Sequence, residues 1–325
     1  MFICLYVYRS IMKSFENYFM NKQYARVKEL GDKLAEINPL IDWECFRPIV
    51  RGMYDNQSER GGRPNIDEIV MIKMLVLQSW YGLSDPELER QANDRISFHK
   101  FLGFPERIPD RSTVWAFRER LIDTGKDERI WEELQRQIDS KGLKVKKGVV
   151  QDATFITADP GHQRVNEPRG PEVKTRRNKD GEWTKKHGKS YYGHKLHTIT
   201  DMYYGLIRRL ETTTAEVHDS QVDLSEPGEV VYRDRGYFGA SCKGYDATMK
   251  RAVRDHPLGI RDKMRNKRIA CKRSAFERPY AVIKNIFKSG HLLVTTTLRT
   301  HTKNLFTCFC YNLLQLNTLQ KNNTT

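Results

Sequence analysis

The stretch 148-GVVQDATFITAD-159 decides how this chain is read. Its apolar residues no longer recur with helical spacing, as they do upstream. Instead β-branched and aromatic residues come in a short run bounded by glycine and aspartate, the pattern of a strand. Three similar runs follow: YYGHKLHTITD (191–201), YGLIRRLETTTAE (204–216) and EVVYRDRGYFG (229–239). Four strands are expected, the first three as an antiparallel meander. HDSQVDL (218–224) predicts a short helix with Asp219 near its start. Beyond Gly239 the helical period returns, with one helix over SAFERPYAVIKNIF (274–287) and a last one over KNLFTCFCYNLLQL (303–316).

Working outward to the front of the chain, the period is helical throughout. In GGRPNIDEIVMIKMLVLQSWYGLS (61–84) the apolar spacing predicts a helix near 66–81, with Asn65 as its cap and Gly82 at its end. Ser84 and Glu87 have capping-box spacing and open another helix. A third follows in PDRSTVWAFRERLID (109–123), capped by Asp110 or Ser112, with Val114, Phe117 and Leu121 on one face. Arg118 and Arg120 on this helix are candidates for a DNA groove, or simply belong to a solvated face. The fold class is therefore a small helical domain over 1–140, followed by an α+β or α/β domain over 145–325.

Composition narrows the partner. The 325 residues carry a formal net charge of +15, and 30% of them are charged. Lysine and arginine that neutralise phosphates release counterions, so this balance points to a polyanion. The Gly-, Pro- and charge-rich run at about 160–190 fits a basic insertion loop. Arg176, Arg177, Lys185 and Lys186 are its candidate DNA contacts, and Trp183 is suited to stacking on a base. Six cysteines lie far apart without metal-ligand spacing, which argues against a disulfide framework or zinc site. The opening MFICLYVYRSIM (1–12) is too short to span a bilayer and lacks a signal-peptide pattern, and Met12 is an alternative start. No membrane association is expected.

The acids carry the chemistry. Asp152 stands among apolar neighbours inside the first expected strand, where a carboxylate needs a partner or a metal. Asp234 follows the Val230, Val231, Tyr232 run in the same manner. Either one alone reads more readily as a turn or cap residue. As a pair on similar strands they suit a divalent cation with hard oxygen ligands, and they can meet at one site if the strands are adjacent. Glu277 is one of only three acids among thirteen Lys and Arg residues from Lys250 to Lys288. In a continuous helix Arg273, Glu277 and Lys284 share one stripe. His194 and His197, three apart in a strand, point to opposite faces and make no simple metal pair.

These stretches, taken in order, resemble the DDE transposases of bacterial insertion sequences, most closely the insertion-sequence-five group. The matching segments are KMLVLQSWYGLSDPELERQANDRISFHKFLGF (73–104), IPDRSTVWAFRERL (108–121), VVQDATFI (149–156), YYGHKLH (191–197), TAEVHDSQ (214–221), VVYRDRGYFG (230–239), RSAFERPYAVIK (273–284) and YNLLQL (311–316). The resemblance implies an end-recognising, DNA-binding helical domain and a ribonuclease H-like catalytic domain. It assigns the catalytic and metal-binding acids to Asp152, Asp234 and Glu277. It also implies two Mg²⁺ ions, with Mn²⁺ as an alternative and no small-molecule cofactor. Arg273 and Lys284 fit its signature, while Ala270 stands at that signature's tyrosine position. In the second-acid motif Arg233 replaces a small residue, and it is expected to point away from Asp234.

The activity implied is strand cleavage and strand transfer at the terminal inverted repeats of an element, on double-stranded DNA. A homo-oligomer would pair two ends, in the bacterial cytoplasm and on the nucleoid. Arg235 and Lys195 join Arg273 and Lys284 as expected DNA contacts. Two alternatives share these residues: a nuclease or resolvase that cuts without joining, and a non-catalytic DNA-binding relic.

Overall fold

The structure is a computed structural model that describes residues 18–53, 65–161, 178–186 and 188–322. The opening segment 1–12, Arg176, Arg177 and most of the 160–190 stretch lie outside the described residues. The chain divides into two compact units, one made of residues 1–78 and 83–133, the other of 79–82 and 134–325.

The first unit is helical: α1 (18–29), α2 (Lys33–Ile37), α3 (Arg47–Val50), most of α4 (Glu68–Tyr81), α5 (Asp85–Asp94), α6 (Ile96–Leu102), α7 (Arg111–Thr124) and the start of α8 (Lys126–Ser140). α4 is apolar on every side, and Ile69, Val70, Met71, Ile72, Met74, Leu75, Val76 and Leu77 are all buried. A helix with no polar face has to lie inside its domain. Its start differs from expectation. Asp67 is the cap, accepting from the Ile69 and Val70 backbone N–H groups at 2.8 and 3.3 Å, and Asn65 is not. Ser84 caps α5 as expected, and Asp110 rather than Ser112 caps α7 through the Thr113 N–H at 2.8 Å.

Arg118 departs from the expected groove contact. It is 5% exposed, and its guanidinium donates to both Asp85 carboxylate oxygens at 3.0 and 2.9 Å and to Gln78 Oε1 at 3.0 Å. A planar fork on a carboxylate is the geometry arginine is built for, and here it ties α7 to α5 and α4. The outer side of α7 carries Trp115 and Arg120 instead.

The second unit is a mixed sheet: β1 (Val149–Ala158), β2 (Glu182–Lys186), β3 (Lys189–Asp201), β4 (Ile207–Thr214), β5 (Val230–Arg233), β6 (Tyr245–Thr248) and β7 (His291–Leu292). The order runs β2-β3-β1-β5-β6, with β4 also on β3 and β7 also on β1. β1, β3 and β4 form the expected antiparallel run. β5 and β7 lie parallel to β1, and β6 lies parallel to β5. β2 is a correction: the Trp183 end of the expected insertion loop is a strand paired antiparallel with the start of β3.

β3 bends where it changes partner, at Gly193. A Cβ there would collide with the Ile156 carbonyl oxygen, so the close crossing over β1 requires glycine. Asp201, fully buried, closes the β3–β4 turn by accepting from the Tyr203 and Tyr204 N–H groups at 2.9 and 2.6 Å.

Helices α9 (Ile260–Ser274), α10 (Arg278–Ala281) and α11 (Thr297–Lys321) complete this unit. α11 packs on β3 and β4. It does so through polar as well as apolar groups: Asn312 Oδ1 accepts from the Ile207 N–H at 2.9 Å, and Asn304 Nδ2 donates to Thr212 Oγ1 at 2.9 Å. The helix expected over 274–287 is not continuous. A 3₁₀ turn (Ala275–Glu277) leads into α10, and a π-helical turn (Val282–Ile286) follows it.

Candidate active site

β5 leads Asp234 toward the edge of β1 that carries Asp152. Val149 pairs with Val231 and Val150 with Tyr232, and this pairing ends two residues short of both acids, which lie near enough to act on each other electrostatically. β7 takes up the same edge of β1 at Thr157. Between β5 and β7 that edge of β1 has a gap in the strand pairing.

Asp152 is held from several directions. Its Oδ1 accepts from the Ala153 N–H at 2.9 Å, and its Oδ2 lies 3.2 Å from the Arg273 guanidinium. Its backbone carbonyl accepts from the Tyr280 hydroxyl at 2.7 Å, and that hydroxyl also meets Thr198 Oγ1 at 2.8 Å. Thr198 stands directly across from Asp152 on β3, on the same face of the sheet. Burial raises the Asp152 carboxyl above the usual carboxylate range. Arg273 and the Ala153 N–H oppose this, and nearby Asp234 and Asp219 add to it.

Asp234 is a turn residue that also acts electrostatically on Asp152. It caps the 3₁₀ turn Arg235–Tyr237, with Oδ1 accepting from the Gly236 N–H at 2.8 Å. Arg233, one residue back, points away as expected and is fully buried. It donates to Thr248 Oγ1 at 2.8 Å and to the Ser241 carbonyl at 2.7 Å, and pairs with Asp246 at 3.2 Å. Its charge is spent on the far side of the strand.

A third carboxylate near the pair is Asp219, not Glu277. Asp219 heads the 3₁₀ turn Asp219–Gln221, which packs on the turn after Asp234, and it pairs with Lys195 Nζ at 2.9 Å. The preceding His218 supplies the cap expected of this short helix. Sequence reading took Asp219 only as a helix start, because nothing local ties it to strands 70 residues upstream. Tyr280 was also missed, and its only sequence signal is its place one turn after Glu277.

Glu277 is exposed and does not join the aspartates. The physical reason lies in the winding. A 3₁₀ turn advances about 120° per residue against about 100° in an α-helix. The stripe expected for Arg273, Glu277 and Lys284 is therefore broken, and Arg273 pairs with Asp152. Among the described residues no three His, Cys, Asp or Glu side chains are gathered as a group ready to hold a metal ion.

The expected DNA contacts fall into three sets. Arg235 and Lys185 are exposed, and Lys284 is half-buried. Lys195 is engaged internally by Asp219 and by the Val217 carbonyl at 2.8 Å. Arg176 and Arg177 lie outside the described residues. Lys186 ends β2. His194 and His197 face opposite sides of the sheet and are both buried. His197 bonds Thr213 Oγ1 at 2.9 Å, and burial lowers its pKa to about 4.

Comparison with known families accounts for this arrangement. Residues 21–120 match the family described as Transposase domain (DUF772), and residues 143–313 match the Transposase DDE domain. No solved structure matched the chain. DDE transposase domains depend on a divalent metal. The donor set here fits one: Asp152 and Asp234 present hard oxygens, and a cationic guanidinium already sits against Asp152. Both matches name the same activity and the DDE match alone spans more than half of the residues, so the chain belongs to the DDE transposases of insertion sequences, enzymes that act on DNA.

Proposed function

We propose that the chain cuts DNA at the ends of an insertion sequence of the insertion-sequence-five group and joins them to target DNA, using Asp152, Asp234 and Glu277. The electrostatic proximity of Asp152 and Asp234, each just beyond the paired part of the parallel strands β1 and β5, supports this most directly. Asp152, Asp234 and Glu277 would hold two Mg²⁺ ions, with Mn²⁺ as the alternative, and these would supply Lewis-acid activation of the attacking oxygen and charge stabilisation of the leaving one at phosphorus.

The chain's own residues do the rest. Asp152 supplies fixed negative charge from a backbone braced by Tyr280, so its carboxylate keeps its place as a ligand arrives. Asp234 uses one oxygen as a turn cap, which fixes the direction of the other. Arg273 neutralises Asp152 in the free chain and is placed to meet an anionic phosphate as the site fills. Glu277 completes the set when the Ala275–Glu277 turn rewinds toward α-helical geometry. Lys284, Arg235 and the lysines of β2 contact the backbone of the element end or target. The helical unit reads the terminal inverted repeats, and two copies of the chain pair the two ends on the nucleoid.

The test is strand cleavage of a duplex carrying the flanking repeat, with Mg²⁺, comparing wild type and Asp152→Asn. Loss of cleavage with DNA binding retained is expected. Equal cutting by the variant would remove the three-acid reading. Cutting without joining by the wild type would move the chain to the nucleases.

A further inference from the structure

The Tyr237 side chain is 1% exposed, and its hydroxyl has no hydrogen-bond partner among the described residues. Its ring stacks under the Arg233 guanidinium at 5.6 Å, and its backbone belongs to the 3₁₀ turn that Asp234 caps. That turn packs on the one headed by Asp219. The hydroxyl is thus buried on a turn packed between Asp234, which caps it, and the turn that Asp219 heads. Asp219, Asp152 and Asp234 all act on it electrostatically, and together with burial they hold it far above the ordinary phenol pKa. Tyr237 is therefore a hydrogen-bond donor at neutral pH.

A buried donor without an acceptor costs stability, and native chains keep such groups where a ligand supplies what is missing. Arg273 Nε, on the cation paired with Asp152, is likewise buried without a partner among the described residues. Two unmatched donors, each on a side chain that interacts with Asp152, call for oxygen acceptors from outside the chain.

We propose that Tyr237 is a positioning residue of the active site, whose hydroxyl donates to an oxygen present only in the loaded enzyme. That oxygen belongs either to water on a divalent cation held by Asp152 and Asp234 or to a DNA phosphate. The proposal rests on the acid assignment above. The free chain keeps an unsatisfied hydroxyl so that the bound state can use it.

The opposite effects on the free and loaded states make the test. Full-length wild type, Tyr237→Phe and Asp152→Asn are compared by thermal unfolding without metal and with Mn²⁺. Mn²⁺ affinity is measured by electron paramagnetic resonance, and affinity for nonspecific duplex DNA in Ca²⁺ is measured alongside. Tyr237→Phe keeps the ring and removes only the unmatched oxygen, so without ligand it should melt no lower than wild type. Its Mn²⁺-induced rise in melting temperature should shrink, with Mn²⁺ affinity falling severalfold if the oxygen is water. If the oxygen is phosphate, Mn²⁺ affinity holds and DNA affinity falls severalfold. A variant that melts lower yet binds Mn²⁺ and DNA as wild type does would make Tyr237 a packing residue and overturn the proposal. If Asp152→Asn keeps its full Mn²⁺ response, the acid assignment fails instead, whatever Tyr237→Phe does.

Discussion

At the residue scale, the two aspartates differ in how much else they do. Asp152 is a carboxylate paired with Arg273 on a braced strand, while Asp234 also holds a turn. Asp152→Asn should lower strand cleavage about a thousandfold, the scale of losing a group that acts on the reacting phosphate, with little change in folding. Circular dichroism and gel-based cleavage separate these effects. His197 offers a test independent of catalysis. The unfolded chain protonates it near pH 6.5, whereas the folded chain does so only near 4. Its contribution is therefore complete above pH 6.5 and is lost as pH falls toward 4, by roughly 3 kcal/mol at 1.36 kcal/mol per unit. His197→Asn should flatten that part of the stability profile, read as urea midpoints across the range. An unchanged profile would place the acid sensitivity elsewhere.

At the scale of elements, α5 and α7 are joined by an ion pair rather than by apolar packing alone. Arg118→Ala leaves Asp85 and Gln78 without their shared donor and should cost about 3 kcal/mol. Chemical denaturation should show the loss, and nonspecific DNA affinity at temperatures where the variant is folded should not fall with it. Gly193→Ala should cost about 3 kcal/mol as well, since β3 has to retreat from β1 to admit a methyl group. The sequence made most elements legible: the strands β1, β3, β4 and β5 by β-branched and aromatic runs bounded by turn residues, and α5 and α7 by their caps. What it concealed were breaks in winding and neighbours far along the chain. SAFERPYAVIKNIF has good helical periodicity, but Pro279 has no N–H to continue an α-helical ladder and stands in α10 just after the 3₁₀ turn, while a π turn follows α10. Arg118 looked like a surface cation because Asp85 lies a full helix away in sequence. Asp219 looked like a cap because the turn beside it is built from residues after Asp234.

At the scale of the whole molecule, the +15 charge sets how the chain meets DNA before any specific contact forms. Affinity for nonspecific duplex should fall linearly with salt on logarithmic axes. Lys185→Ala, removing one exposed cation of β2, should reduce that slope by about 1 without changing the melting temperature. Fluorescence anisotropy over a salt series reads the slope directly, and an unchanged slope would take β2 out of the DNA-facing surface. The order in which the sheet is built has a different consequence, one of timing. β1 is synthesised early, but its free edge is bordered by β5 and then by β7, whose neighbour Gly290 accepts from Thr157 across 133 residues of sequence. Pairings at such separations form slowly and need both partners present. During synthesis Asp152 therefore leaves the ribosome, and can pair with β3, well before β7 can close the edge of β1 beside it. A nascent chain stalled short of Gly290 holds Asp152 in an unfinished sheet.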